Sequence, residues 1–101
     1  MKKVIRDGKV AVLYSPGYGA GWSTWGAPED LIFDPEIVAL VEADKREQIN
    51  ILVSRRGYDF YDGGASKLAI VWLPVGTKFV ITEYDGSEGI KVIEEIDFYV
   101  A

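Results

Sequence analysis

The sequence predicts an α+β domain in which an antiparallel sheet is covered on one face by a helix pair. Three observations predict this class. Strand-like runs separated by short turns occupy both ends of the chain, the middle carries helix-start signals before apolar residues at helical spacing, and 49% of the 101 residues are hydrophobic. This length and composition fit a single domain over residues 1–101 with one modest core.

An N-terminal hairpin is the first predicted element. Val4-Ile5 and Lys9–Tyr14 read as strands, and Asp7-Gly8 between them is typical of a two-residue hairpin turn. Residues 15–26, SPGYGAGWSTWG, follow with four glycines, three aromatic residues and no charge. This glycine-rich segment either cradles a ligand or connects two structural elements.

Two helices are predicted next. Asp34 is a favoured N-cap and Pro35 a favoured first helical residue, and the apolar residues of 37–41 then fall on one face. Asp44, with Glu47 as its capping-box partner, predicts the start of a second helix that ends at Gly57. A strand over residues 49–53 is the alternative that this pattern favours less.

The C-terminal half predicts a three-stranded antiparallel meander. Residues 67–73, 77–84 and 90–100 read as strands joined by short turns. The strand over residues 67–73 is apolar on both of its faces, which predicts that it is a central strand of the sheet. The whole sheet would then consist of the N-terminal hairpin and this meander.

Composition excludes several classes of protein. The chain has no cysteine and no histidine, which removes disulfides, thiolate or imidazole metal sites, and hydrolases with a histidine base. We therefore predict no catalytic residues, no metal site and no cofactor. The net charge of −5 argues against a duplex nucleic acid partner. The sequence has neither a membrane-span-like run nor a leader-like start, which predicts no membrane partner and a cytoplasmic location.

The charges are nevertheless grouped in blocks. Residues 1–9 and 45–56 are basic, whereas residues 29–44 and 83–97 each carry six acids. One interpretation is an ordinary mixed surface. The other is a small basic pocket, suited to a small anion, on an otherwise acidic protein.

The glycine-rich segment, the basic pair at the end of the second helix and the aromatic residues beside it form one candidate binding site. Glycine amides can bind an anion, guanidinium groups neutralise phosphate, and aromatic rings stack on a base. The predicted ligand-binding residues are Gly17, Tyr18, Gly19, Gly21, Trp22, Trp25, Arg55, Arg56, Tyr58 and Tyr61. The structural alternative is that the tryptophans fill the core and that arginines merely end a helix.

A group of carboxylates near the C-terminus forms a second candidate. Glu83, Glu94, Glu95 and Asp97 would have to converge to hold a divalent cation or to act as an acid–base pair. Their spacing is also typical of a charged sheet edge that discourages edge pairing.

The chain resembles a family of short bacteriophage and prophage proteins. The resemblance lies in residues 10–25 (VAVLYSPGYGAGWSTW), 31–35 (LIFDP), 72–77 (WLPVGT) and 83–88 (EYDGSE). Small phage proteins of this size and class include anti-defence sponges that sequester nucleotide immune signals. The resemblance therefore implies an anti-defence role, and no binding residue is taken from it.

These observations lead to one main hypothesis and two alternatives. The main one is a non-catalytic protein that forms a homo-oligomer and sequesters a phosphate-bearing nucleotide, either a cyclic ADP-ribose isomer or a cyclic oligonucleotide. The alternatives are an acidic inhibitor that binds a host protein and a carboxylate- or metal-dependent enzyme that cleaves a nucleotide.

Overall fold

The computed structural model of the chain describes residues 2–19 and 21–93 and confirms the α+β class. Within these residues, the fold contains a three-stranded antiparallel sheet, a two-stranded antiparallel sheet and three short α-helices that pack against strands.

The predicted N-terminal hairpin is present. Strand β1 (Ile5–Arg6) pairs with strand β2 (Lys9–Tyr14) in antiparallel register. The turn residues Asp7 and Gly8 have φ values of 52° and 76°. Left-handed φ at both central positions is the turn geometry whose twist matches that of the flanking strands.

The predicted C-terminal meander is wrong in its strand pairing. Strand β3 (Ala69–Pro74) pairs with β2, so the first sheet has the order β1-β2-β3. Strands β4 (Phe79–Tyr84) and β5 (Ser87–Val92) form a separate hairpin. Of the final predicted strand, residues 94–100 lie outside the described residues.

The central strand of the first sheet is β2, and not β3 as the sequence predicted. Residues 10–13 of β2 are buried on both of its faces. β2 is far more buried than β4, so β3 pairs with the strand that lies in the core. This pairing leaves β3 at a sheet edge among the described residues.

The helix pair is confirmed, and so is the start of its first member. After the short helix α1 (Asp30–Phe33), helix α2 spans Pro35–Glu42 and helix α3 spans Glu47–Arg55. The Asp34 carboxylate accepts the backbone N–H groups of Glu36 and Ile37 at 2.9 and 3.1 Å. Residues 49–53 are therefore helical, and the strand alternative does not hold.

The predicted capping box of α3 is wrong, whereas its predicted end is confirmed. Arg46 occupies the N-cap position of α3 without a capping side chain. Asp44 lies in the connection with a φ of 55°, and its carboxylate accepts from the Arg46 guanidinium. At the other end, Gly57 has a φ of 83°, a left-handed conformation that glycine adopts without a Cβ penalty and that ends the helix.

One apolar cluster joins the sheet to the helices. It contains the buried part of β2, the inner faces of α1 and α2, and Ile49 and Val53 of α3. Trp22 from the glycine-rich segment lies in the same cluster with no exposed surface. None of the helices described here has the length and apolar character needed to cross a membrane.

Candidate functional site

The glycine-rich segment is built around a buried carboxylate. Glu88 of β5 is 3% exposed, and its Oε1 accepts the Ser15 N–H at 2.8 Å. Its Oε2 accepts the Trp22 N–H at 2.9 Å, and both the N–H and the hydroxyl of Thr24 at 2.9 and 2.6 Å. The sequence predicted that this segment forms an anion nest. Three backbone amides, those of Ser15, Trp22 and Thr24, do converge on an anion, and that anion is the protein's own Glu88.

The sequence contained a signal for Glu88 that the prediction did not use. Glu88 lies two and four positions before Ile90 and Val92, so it falls on the same side of the strand as these residues. That side is the apolar side of the predicted last strand. A carboxylate on such a face requires several donors close by, because burying an unpaired charge is costly. Nearby glycine-rich backbone was the available source of these donors.

Further contacts attach the same segment to the β4–β5 hairpin. The backbone N–H of Glu88 donates to the Ser15 carbonyl at 2.7 Å, and the Gly19 N–H donates to the Asp85 carbonyl at 2.6 Å. The Ser87 hydroxyl donates to the Pro16 carbonyl at 2.6 Å. The backbone of the segment is therefore held at both ends and near Gly19, so the aromatic side chains that it carries are presented from a fixed scaffold.

The two tryptophans of the segment occupy different environments. Trp22 has no exposed surface, donates its Nε1–H to the Leu31 carbonyl at 3.2 Å, and packs edge-on against Phe60 with ring centroids 5.3 Å apart. Trp22 thus follows the structural alternative and contributes to the core. Trp25 is 37% exposed, and its ring centroid lies 5.5 Å from that of Tyr61, which is 55% exposed.

A second exposed ring pair lies farther along the segment. Tyr18 and Tyr84 are 74% and 77% exposed and meet edge to face with centroids 6.4 Å apart. The structure thus brings together two of the predicted residues, Trp25 and Tyr61, and gives Tyr18 a partner that the sequence analysis did not select. Both pairs belong to the glycine-rich segment and to the parts of the chain that contact it.

A 3-10 helix over Gly63–Lys67 lies beside both the Trp25–Tyr61 pair and the start of the segment. A Cβ on Gly63 would clash with the Tyr61 hydroxyl oxygen, so the tyrosine ring reaches over the first residue of this helix. At the other end, the Lys67 side chain packs on Gly17, whose added Cβ would lie 2.8 Å from Lys67 Cγ. Lys67 is therefore the cation next to the segment, and the sequence analysis did not select it.

Arg56, one of the two predicted phosphate-binding arginines, is occupied by carboxylates. Its guanidinium pairs with Asp34 and, at 2.9 Å, with Glu36. The hydrogen bond to Asp34 is the main cause that raises the pKa of Arg56. The sequence analysis expected an inward-facing guanidinium to need either a carboxylate or a phosphate, and in the structure carboxylates fill this role.

Arg55 and Tyr58 lie apart from the glycine-rich segment. Arg55 lines a groove of about 640 Å³ between α2 and α3, together with Leu40 and Ile51. The Tyr58 hydroxyl donates to the Asp30 carboxylate at 2.6 Å, and this hydrogen bond raises the pKa of Tyr58. No hydrogen bond or ion pair in the described part of the chain joins these groups to the amides of Gly17, Gly19 and Gly21, so the structure does not assemble the site in the form that the sequence predicted.

The carboxylate candidate is described only in part. Glu83 accepts the Gly86 N–H at 2.6 Å within the β4–β5 turn. Glu94, Glu95 and Asp97 lie outside the described residues. Within residues 2–19 and 21–93, no group of three or more histidine, cysteine, aspartate or glutamate side chains is arranged to hold a metal ion.

Comparisons of the chain with protein-family models, with curated proteins and with solved structures find no match.

Proposed function

We propose that the protein binds an aromatic, anionic ligand, of which a nucleotide is the best-fitting class, on the Trp25–Tyr61 pair beside Lys67. The observation that carries the proposal is that a backbone segment bonded to a buried carboxylate presents exposed rings at one end of a short 3-10 helix whose other end carries Lys67. We further propose that binding is non-catalytic and serves to sequester the ligand.

Exposed aromatic rings on a fixed scaffold favour binding for two reasons. Tyrosine and tryptophan have only two side-chain torsions, so ordering them against a ligand costs little conformational entropy. Fixing the backbone beforehand also reduces the cost of association. Glu88 provides that fixation through the amides of Trp22 and Thr24, which flank the start of the 3-10 turn that carries Trp25.

The separation between the rings and the cation supports a nucleotide. Tyr61 reaches over Gly63 and Lys67 packs on Gly17, at opposite ends of one short 3-10 helix. A 3-10 helix rises about 2 Å per residue, so these two positions are about 8 Å apart along its axis. A base stacked on the exposed surface of the Trp25–Tyr61 pair and a phosphate near Lys67 would span this separation. Such stacking contributes roughly 1–3 kcal/mol per base.

This proposal replaces the phosphate-binding groups expected from the sequence. The amides of Ser15, Trp22 and Thr24 are already bonded to Glu88, and that of Gly19 to Asp85. Arg56 is paired with Asp34 and Glu36. Lys67 forms no salt bridge with any other described residue, so its ammonium group is available to a phosphate.

Isothermal titration with cyclic ADP-ribose isomers and cyclic oligonucleotides tests the proposal. Lys67→Gln and Trp25→Ala should each weaken binding at least about tenfold, because each removes one contact worth more than about 1.4 kcal/mol. Arg55→Gln is the matched control, an exposed cation on α3 that should leave affinity unchanged. Equal losses in Lys67→Gln and Arg55→Gln would indicate nonspecific charge attraction and would overturn the proposed site.

A protein partner is the second candidate, and the same exposed rings favour it. Tyrosine and tryptophan are enriched among the residues that dominate protein interfaces. The acid-rich block 29–44, by contrast, is largely committed within the chain, since Asp34 and Glu36 pair with Arg56, Glu42 with Arg6, and Asp44 with Arg46. Absence of nucleotide binding, together with stoichiometric capture of a host protein that is lost in Trp25→Ala, would favour this candidate.

A further inference from the structure

The outer edge of β3 is unpaired among the described residues. β3 has β2 on one side, and the first sheet ends with it. The Ala11 N–H of β2 donates to the Val4 carbonyl, so the backbone polar groups of odd-numbered β2 residues point toward β1. The Val75 N–H donates to the Gly8 carbonyl, so those of even-numbered residues point toward β3. The N–H and C=O of one residue in an antiparallel strand point to the same side and alternate between neighbours.

This alternation identifies the backbone groups at the edge. Val10, Val12 and Tyr14 face β3, and their register partners Leu73, Val71 and Ala69 face back toward β2. Ile70 and Trp72 therefore direct their N–H and C=O groups outward. Within residues 2–19 and 21–93, these four groups have no hydrogen-bond partner.

We propose that the outer edge of β3 pairs with the same edge of a second copy of this chain, forming a two-fold symmetric dimer with a continuous sheet across it. In an antiparallel pairing centred on Val71, Ile70 faces Trp72 of the second copy and Trp72 faces its Ile70. Each such pair exchanges two hydrogen bonds, so all four outward groups of each chain find partners.

The neighbouring registers satisfy fewer groups, which favours this one. Shifting the centre to Ile70 would place Trp72 opposite Leu68, whose carbonyl already accepts the Arg46 Nε–H at 3.1 Å. Shifting it to Trp72 would place Ile70 opposite Pro74, which has no N–H to donate. The edge is thus complementary to itself in a single register.

Charge and composition also favour a second copy as the occupant. Residues 68–77 contain no charged side chain, so self-pairing brings no like charges into opposition. Of the devices that usually protect an edge strand, β3 as described has a proline at its last position, Pro74, and has neither a charge nor a bulge within it. Valine, isoleucine and tryptophan are, in addition, residues that pair well across strands. This dimer does not depend on the ligand proposed above.

Sedimentation equilibrium across a wide protein concentration range tests the dimer. The unmodified protein should shift from the mass of two chains to that of one on dilution. Val71→Glu and Val71→Lys place like charges opposite each other across the two-fold axis and should each raise the dissociation constant at least about tenfold. A mixture of the two variants should form the heterodimer, because the opposed charges then attract.

Val80→Glu is the matched control, because Val80 is 43% exposed on β4 in the other sheet and should leave the dissociation constant unchanged. Circular dichroism checks that each variant folds. Amide hydrogen exchange of the unmodified protein provides a test that needs no variant: protection of the Ile70 and Trp72 amides should fall on dilution. A single-chain mass at millimolar concentration, or protection independent of concentration, would overturn the proposal.

Discussion

Replacing Glu88 by glutamine is the most direct test of how the glycine-rich segment is held. The carboxylate accepts four hydrogen bonds, one at Oε1 from Ser15 and three at Oε2 from Trp22 and Thr24. Glutamine has nearly the same shape and retains one acceptor oxygen. Its NH₂ group would face either the single donor of Ser15 or the three donors of Trp22 and Thr24. In either orientation, at least one buried donor loses its acceptor.

The expected loss of stability follows from these four bonds. With the amide oxygen toward Trp22 and Thr24, three bonds change from charged to neutral acceptors, which weakens each by about 1 kcal/mol. The NH₂ group opposes the Ser15 N–H, and an unsatisfied buried donor costs about 1–3 kcal/mol. A neutral amide is easier to bury than a carboxylate, which offsets part of this loss. We expect a net destabilisation of about 2–4 kcal/mol, or about 10–20 °C in Tm for a domain of this size.

Urea unfolding followed by circular dichroism measures this change. Glu83→Gln is the matched control, because Glu83 is exposed and accepts one N–H, that of Gly86. The control should lose less than about 1 kcal/mol. A Glu88→Gln variant within about 0.5 kcal/mol of the unmodified protein would refute the argument that this carboxylate holds the segment.

Two further predictions concern other contacts. The Arg6 guanidinium donates two hydrogen bonds to the Glu42 carboxylate, and this pairing lowers the pKa of Glu42. The pairing therefore stabilises the fold at pH values above the ordinary glutamate pKa, and this contribution is lost as the pH falls through the lowered pKa. Carboxyl NMR titration of Arg6→Gln should show the pKa of Glu42 rising back toward 4.5, and an unchanged pKa would contradict the pairing. Gly21→Ala should displace the Trp25 ring from Tyr61, because the added Cβ would lie 2.5 Å from Trp25 Cγ. Loss of ring contacts between Trp25 and Tyr61 in NMR spectra would confirm this, and retained contacts would contradict it.

Local features were predictable because a few adjacent residues determine them. Asp7-Gly8 specified the first hairpin, Asp34-Pro35 specified the start of α2, and Gly57 specified the end of α3. Each of these depends on the φ preference or hydrogen-bonding capacity of a side chain within one turn of the backbone. The capping box at Asp44 fits the same local rules, yet Asp44 adopts a left-handed conformation in the connection and does not cap α3.

The candidate site depended on contacts between distant parts of the chain, which local patterns do not specify. The sequence predicted an anion nest at the amides of Gly17 to Gly21, whereas in the structure the amides of Ser15, Trp22 and Thr24 surround an anion. That anion is Glu88, which lies 64 to 73 positions away in sequence. Likewise, composition alone did not distinguish the buried Trp22 from the exposed Trp25, since the difference arises from which ring reaches Phe60 and Leu31 in the folded core.

The amino-acid sequence by itself determined the α+β class, the first hairpin, the start of α2, the end of α3 and the chemical groups available to the protein, because these follow from composition and short-range preference. Tertiary structure alone decided that β3 joins β2, that Glu88 occupies the amides of the glycine-rich segment, and that Arg56 pairs with Asp34. The physical reason is competition: several partners were chemically acceptable for each group, and the burial of the whole core selected among them.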